Sequence, residues 1–332
     1  MESTGGFGPT SAADAIGILA EKGDVAINQS RDLWAQNGDV RLAGKLWMPG
    51  DRRPRAAVLM IPGSGPSDRH NDVFFPPIRE HLLTNGIAVA SFDKRGVGGS
   101  TGDWLSAGIL EQADDTLAAL ALLRGSTQLA DAPIGLYGHS QGGWVALETA
   151  GRNPDIALAI TSSGPGVSPA EQEQHAAAHG LRRQGFSPDE VESALRTYHA
   201  MLSLIRAGAS YSEYQSTLGD EGERRWLDRI GQVAFVPDGE ALWNFARLII
   251  DYDPLPAMRR IRCRILALFG AEDRQIPVKR SADAYRSAVT DVEVHVFAGA
   301  DHRCQVGDPP TTADGYLDVL TEALLRSSTP RG

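Results

Sequence analysis

At roughly 150 residues per domain, a chain of 332 residues holds either two domains or one large α/β unit with an insertion. The net charge of −10, from 42 acidic against 32 basic side chains, argues against a nucleic-acid surface, which needs clustered Lys and Arg. Two cysteines, Cys263 and Cys304, are too few for a disulfide framework or a Cys-rich zinc site.

In chain order, Met1 to Thr10 shows neither the basic patch nor the apolar run of a secretory leader, and no apolar stretch reaches the length of a membrane span. A cytoplasmic protein with no membrane partner is expected. Residues 1–30 read as an N-terminal segment. Arg31 to Met48 reads as a hairpin turning at Asn37-Gly38, a pair that tolerates the positive φ of a tight turn. Apolar runs of strand length follow at Ala56–Ile61, Ile87–Phe92, Ile134–Tyr137, Ile156–Ile160, Ile265–Phe269 and Val292–Phe297. Most are continuously apolar, the pattern of strands buried on both faces. Helical stretches alternate with them at Pro77–Thr84, Ala113–Leu123, Gln141–Arg152, Val278–Val289 and Gly315–Leu325. Such alternation predicts an α/β protein with a mostly parallel, doubly wound sheet.

The rhythm breaks between Ser168 and Tyr252, where only helix is expected. Ser168-Pro169-Ala170-Glu171 and Ser187-Pro188-Asp189-Glu190 each offer an N-cap Ser, a Pro at N1 and a Glu at N3. The expected organisation is a core of residues 31–167 and 253–332, interrupted by a helical cap over 168–252.

The chemistry begins at Gly138-His139-Ser140-Gln141-Gly142, a G-x-S-x-G between an apolar strand and a helix. That is the context a nucleophile elbow requires: a sharp turn that lifts the serine above the strand end. A weak hydroxyl nucleophile needs a base and an acid that orients the base. Asp273 lies in the loop after the strand ending at Phe269, beside the rival Glu272, and His302 lies in the loop after the strand ending at Phe297. Order and spacing make Ser140, Asp273 and His302 the candidate catalytic residues. The oxyanion hole is expected to combine the backbone N–H of Gln141 with that of Ser64, in the loop Pro62-Gly63-Ser64-Gly65-Pro66. Asp68, Arg69 and His70 extend that loop and either touch substrate or lock it. Trp226, Trp243, Phe245 and Tyr252 either line a substrate pocket or form cap core. Cys304 is a thiol two residues from the base, buried or reactive.

These motifs, with Asp93-Lys94-Arg95-Gly96-Val97-Gly98-Gly99-Ser100, resemble the α/β-hydrolase-fold serine hydrolases of carboxylesterase type with a helical cap. The resemblance covers about Arg31 to Leu325. It implies that the Asp93–Ser100 loop is structural, and Asp93 and Arg95 are left out of the chemistry. Pro62 stands where lipase-like relatives carry the leading His of an H-G-G-G loop. Hydrolysis of a small-molecule carboxylic ester is expected. Thioester or amide hydrolysis on the same residues is the alternative, and a cyclase or ligand-binding protein on the same fold is a further one. No metal constellation and no G-x-G-x-x-G spacing occurs in the sequence, so no metal or cofactor is expected.

Overall fold

A computed structural model describes residues 29–50 and 53–327. Nearly all of the expected N-terminal segment therefore lies outside the described residues. Eight strands form one sheet in the order β1-β2-β4-β3-β5-β6-β7-β8. They are β1 (Gln29–Asn37), β2 (Val40–Met48), β3 (Ala56–Ile61), β4 (Ile87–Phe92), β5 (Ile134–His139), β6 (Leu158–Ser162), β7 (Arg264–Gly270) and β8 (Val292–Phe297). From β4 onward every pairing is parallel, while β1 and β2 join as an antiparallel edge. In the hairpin Asn37 pairs with Val40, so the loop is Gly38-Asp39, one residue later than expected, with Gly38 at φ 55°.

Strands β3, β4 and β5 are buried at every position, as their unbroken apolar sequences require. One face is covered by α2 (Ile109–Arg124), α3 (Gln141–Arg152) and α10 (Val278–Ala288). The other carries α1 (Phe75–Thr84) and α11 (Tyr316–Arg326). β8 differs because it is an edge. Its alternating Val-Glu-Val-His sequence leaves Glu293 and His295 half-exposed, where Glu293 pairs with Arg264 and with His295.

Between β6 and β7 runs helix only: α4 (Pro169–Arg183), α5 (Pro188–Arg206), α6 (Tyr211–Thr217), α7 (Glu221–Gly231), α8 (Glu240–Ile249) and α9 (Leu255–Arg260). Ser168 caps α4 through the Glu171 amide, and Ser187 with Glu190 forms a reciprocal capping box on α5. Each cap contributes about 1 kcal/mol to helix stability. Tyr198, Met201, Leu202, Ile230 and Trp243 are fully enclosed and give α4 to α8 a hydrophobic cluster of their own. Among the described residues no helix is long and apolar enough to cross a membrane.

The parallel strands all end at the same edge of the sheet. Ile61 pairs with Gly138, His139 with Ser162 and Ser162 with Leu268. The loops after β3, β4, β5, β7 and β8 therefore converge there, where open α/β sheets bind ligands.

Candidate active site

Ser140 joins β5 to α3 with φ 53° and ψ −122°, a conformation that L residues other than Gly rarely adopt. The strain is held by its surroundings. The Ser140 amide donates to Ser162 O at 2.9 Å, and its carbonyl accepts from Gly143 N at 2.8 Å. The flanking glycines are needed for space. A Cβ on Gly138 would sit 2.1 Å from Gly142 O, and one on Gly142 would sit 2.4 Å from Ile61 O. Ser140 thus stands at the N-terminus of α3, where the helix dipole favours negative charge.

Asp273 and His302 meet across two loops. Asp273 Oδ2 is 2.8 Å from His302 Nδ1, and the Asp273 side chain is fully enclosed. Its other oxygen accepts the amides of Gln275 at 2.9 Å and Ile276 at 3.1 Å, which fixes the carboxylate's orientation. Glu272, the neighbouring acid, is exposed. Ser140 and His302 line one cavity; among the described residues the Ser140 hydroxyl makes no hydrogen bond to the ring. Such contacts are often long before substrate binds. The His139 ring packs 5.1 Å from His302 and 4.4 Å from Phe74. Burial, with His302 nearby, holds the His139 ring well below its ordinary pKa, so it is neutral.

Gly63 abuts Ser140: a Cβ there would lie 3.3 Å from the Ser140 Cβ. Neither the Ser64 nor the Gln141 amide donates to a protein group among the described residues, and both residues border the same cavity as Ser140. Two free amides beside a serine can receive a developing oxyanion. The loop is fixed from behind by Arg69, whose Nε and Nη2 bond Asp93 at 2.9 and 2.7 Å, with its amide at 2.6 Å. Gly99 N also donates to Asp93, and Arg95 pairs with Asp115. Asp93 and Arg95 therefore act on the architecture and not at the reacting atoms.

A family model described as the alpha/beta hydrolase family matches residues 58–314. The chain belongs to the alpha/beta hydrolase family. It is 22% identical over 285 residues to esterase EstD of Thermotoga maritima, covering 83% of this chain and 61% of that protein's length. Its fold is similar to that of the Pyrococcus furiosus esterase Pf2001, with a TM-score of 0.59 at 18% identity over 91% of this chain and 92% of the other. It is also similar to DcsB, solved in complex with a substrate analogue, with a TM-score of 0.61 at 16% identity over 91% and 100% of the two chains.

Two cavities meet at Ser140 of this alpha/beta hydrolase. One, of about 540 Å³, lies under α4 and α8 and is walled by Trp104, Trp144, Phe235, Leu242, Phe245 and Ile249. The other, of about 780 Å³, is lined by His302, Asp68, Asp72, Asp301 and Arg303. Ser64, Ser140 and Gln275 border both.

The proposed substrate contacts fall elsewhere, with Phe245 the exception. His70 lies outside both linings, its ring edge-on to Trp47 at 5.9 Å. Trp226 packs on Phe186. Trp243 stacks on Tyr214 at 4.6 Å and donates its indole N–H to Ala209 O. Tyr252 bonds Glu148 beneath Trp144. Trp226 and Trp243 are buried core residues, while His70 and Tyr252 are partly buried. Cys304 is fully buried, and burial pushes its thiol up to about 12.

Two partly buried ionisable side chains near the site carry no motif that marks them in the sequence. Glu173 of α4 lines the apolar cavity, its oxygens accepting Phe235 N at 2.7 Å and Gln172 Nε2 at 3.0 Å. Burial pushes its carboxyl up. Its only sequence signal was a Glu among polar residues of an amphipathic helix, which ordinarily faces water. The other is Lys94, whose Nζ donates to the Gly63 carbonyl.

Proposed function

We propose that this hydrolase cleaves carboxylic esters by two-step acyl transfer through Ser140, His302 and Asp273. The observation that carries the reading is the hydrogen-bonded Asp273–His302 pair facing the cavity into which a strained Ser140 projects. His302 Nε2 takes the hydroxyl proton as Ser140 Oγ bonds to the ester carbon, and the carbonyl electrons move onto oxygen. The Ser64 and Gln141 amides hold that oxyanion. Its collapse breaks the bond to the alcohol, which leaves with the proton from His302. Water then gives a proton to His302 and attacks the acyl carbon. The Ser140–acyl bond breaks and the proton returns to Ser140. Asp273 keeps the ring proton on Nδ1 and steadies the imidazolium.

The two cavities support an orientation. The leaving alcohol must meet the proton on His302, and His302 lines only the acidic cavity. The alcohol part therefore points toward Asp68, Asp72 and Asp301, and the acyl part lies in the apolar cavity under helices that we read as a cap. That cavity falls in the size range of small-molecule sites. EstD and Pf2001, both named esterases, agree with ester chemistry. A stopped-flow trace with a p-nitrophenyl ester tests the mechanism. A burst of nitrophenol equal to the enzyme concentration, lost in Ser140→Ala, is expected; steady turnover in Ser140→Ala would refute it.

A further inference from the structure

Lys94 has no place in the chemistry above. It follows β4 and is partly buried, and burial pushes its amine down to about 7. It makes no ion pair among the described residues. An amine buried without a counter-ion is costly unless its hydrogen bonds are met. Its Nζ donates to Gly63 O at 2.5 Å and to Gln141 Oε1 at 3.2 Å. Its own amide donates to Ser67 O at 3.0 Å, so the residue grips the loop 62–67 at both ends.

The two side-chain acceptors belong to the oxyanion donors. The Gly63 carbonyl and the Ser64 N–H are the two ends of one peptide plane and point in opposite directions. Drawing the carbonyl toward Nζ turns the N–H away from it, toward the cavity that holds Ser140. The second bond fixes the side chain of Gln141, whose backbone N–H is the other donor. Charged or neutral, the amine keeps enough N–H groups for both bonds.

We propose that Lys94 is a positioning residue: by bridging Gly63 O and the Gln141 side chain it holds the two oxyanion amides at the separation the tetrahedral intermediate needs. The inference rests on the acyl-transfer reading above. Beyond the Ile61–Gly138 pairing, the described residues show no other hydrogen bond between the loop 62–67 and the elbow.

Lys94→Met keeps the stem and removes the donors. Expected is a fall in kcat of about 10- to 100-fold, less than complete loss of one oxyanion donor, with KM changed less than about threefold. Affinity for a trifluoromethyl ketone, whose serine adduct carries the oxyanion, falls in parallel, while the melting temperature does not fall. Gln141→Met, which keeps the backbone amide, shows a smaller loss of the same kind, and the double variant is no worse than Lys94→Met. A kcat within twofold of wild type in Lys94→Met, or ketone affinity unchanged, overturns the bridge. Should Lys94→Met not fold, Gln141→Met decides: unchanged kcat overturns the bridge. Turnover that survives Ser140→Ala removes the acyl-transfer reading itself. Ser140-dependent turnover with no effect of Lys94→Met removes only Lys94.

Discussion

Asp273→Asn isolates what the carboxylate does, because the structure dictates how asparagine must sit. Asp273 Oδ1 is committed to the Gln275 and Ile276 amides. Turning the Asn NH₂ toward them would leave buried donors facing donors, at about 1–3 kcal/mol for each unmet group. The NH₂ is therefore placed against His302 Nδ1, which becomes an acceptor, and the ring proton moves to Nε2, facing Ser140. The base is then in the wrong tautomer. A penalty of about 4 kcal/mol for flipping the amide leaves roughly one molecule in a thousand competent. Loss of the charge that steadies the imidazolium brings the expected drop in kcat to about 10⁴-fold. Steady-state kinetics on a p-nitrophenyl ester, with circular dichroism to confirm folding, measures it. Glu272→Gln, at an exposed neighbour, stays within about twofold, as surface substitutions do. A folded Asp273→Asn enzyme within tenfold of wild type, or a larger loss in Glu272→Gln, would mean that Asp273 does not orient the ring.

Four further outcomes are expected. Glu173→Gln lowers the preference for acyl groups carrying a hydroxyl or amine over alkyl groups of equal length by about 10- to 100-fold, the worth of a hydrogen bond to a charged group; an unchanged ratio of kcat/KM values removes Glu173 from substrate recognition. Trp243→Ala costs about 3–5 kcal/mol in denaturant unfolding yet leaves the acyl-length profile unaltered, whereas Phe245→Ala shifts that profile to longer chains; a profile that moves with Trp243 would return it to the pocket wall. Gly142→Ala forces a Cβ against Ile61 O and destabilises by about 1–3 kcal/mol or more, read as a lowered melting temperature. His139 has a depressed folded pKa, so the stability it contributes is present above its unfolded value near 6.5 and is lost as pH falls below it. His139→Gln should flatten the stability curve on that acid side, and an equally steep curve would contradict this.

Much of the site was legible because its chemistry depends on local sequence. The elbow needs small residues around Ser140, and Gly138 and Gly142 supply them at fixed spacing. Asp273 and His302 announce themselves by following apolar strands, since parallel strands deliver their loops to one edge. The pocket walls were not legible. Trp226, Trp243 and Tyr252 were credible lining residues by type, but whether an aromatic faces a cavity or a neighbouring helix is decided by packing between distant segments. Trp104 and Trp144, which do line the cavity, come from the β4–α2 connection and from α3, not from the helices between β6 and β7. Lys94 was hidden for a similar reason. A lysine in a Gly-rich loop ordinarily faces water, and only the return of loop 62–67 above it encloses its amine.

If Ser140 carries the acyl group during turnover, that group can be trapped on it. Wild-type protein is quenched in acid during turnover of a p-nitrophenyl ester, digested and weighed peptide by peptide. One acyl adduct per chain is expected, on the peptide containing Ser140 and absent from Ser140→Ala. An adduct on another residue, with Ser140→Ala still turning over at the wild-type rate, would contradict it.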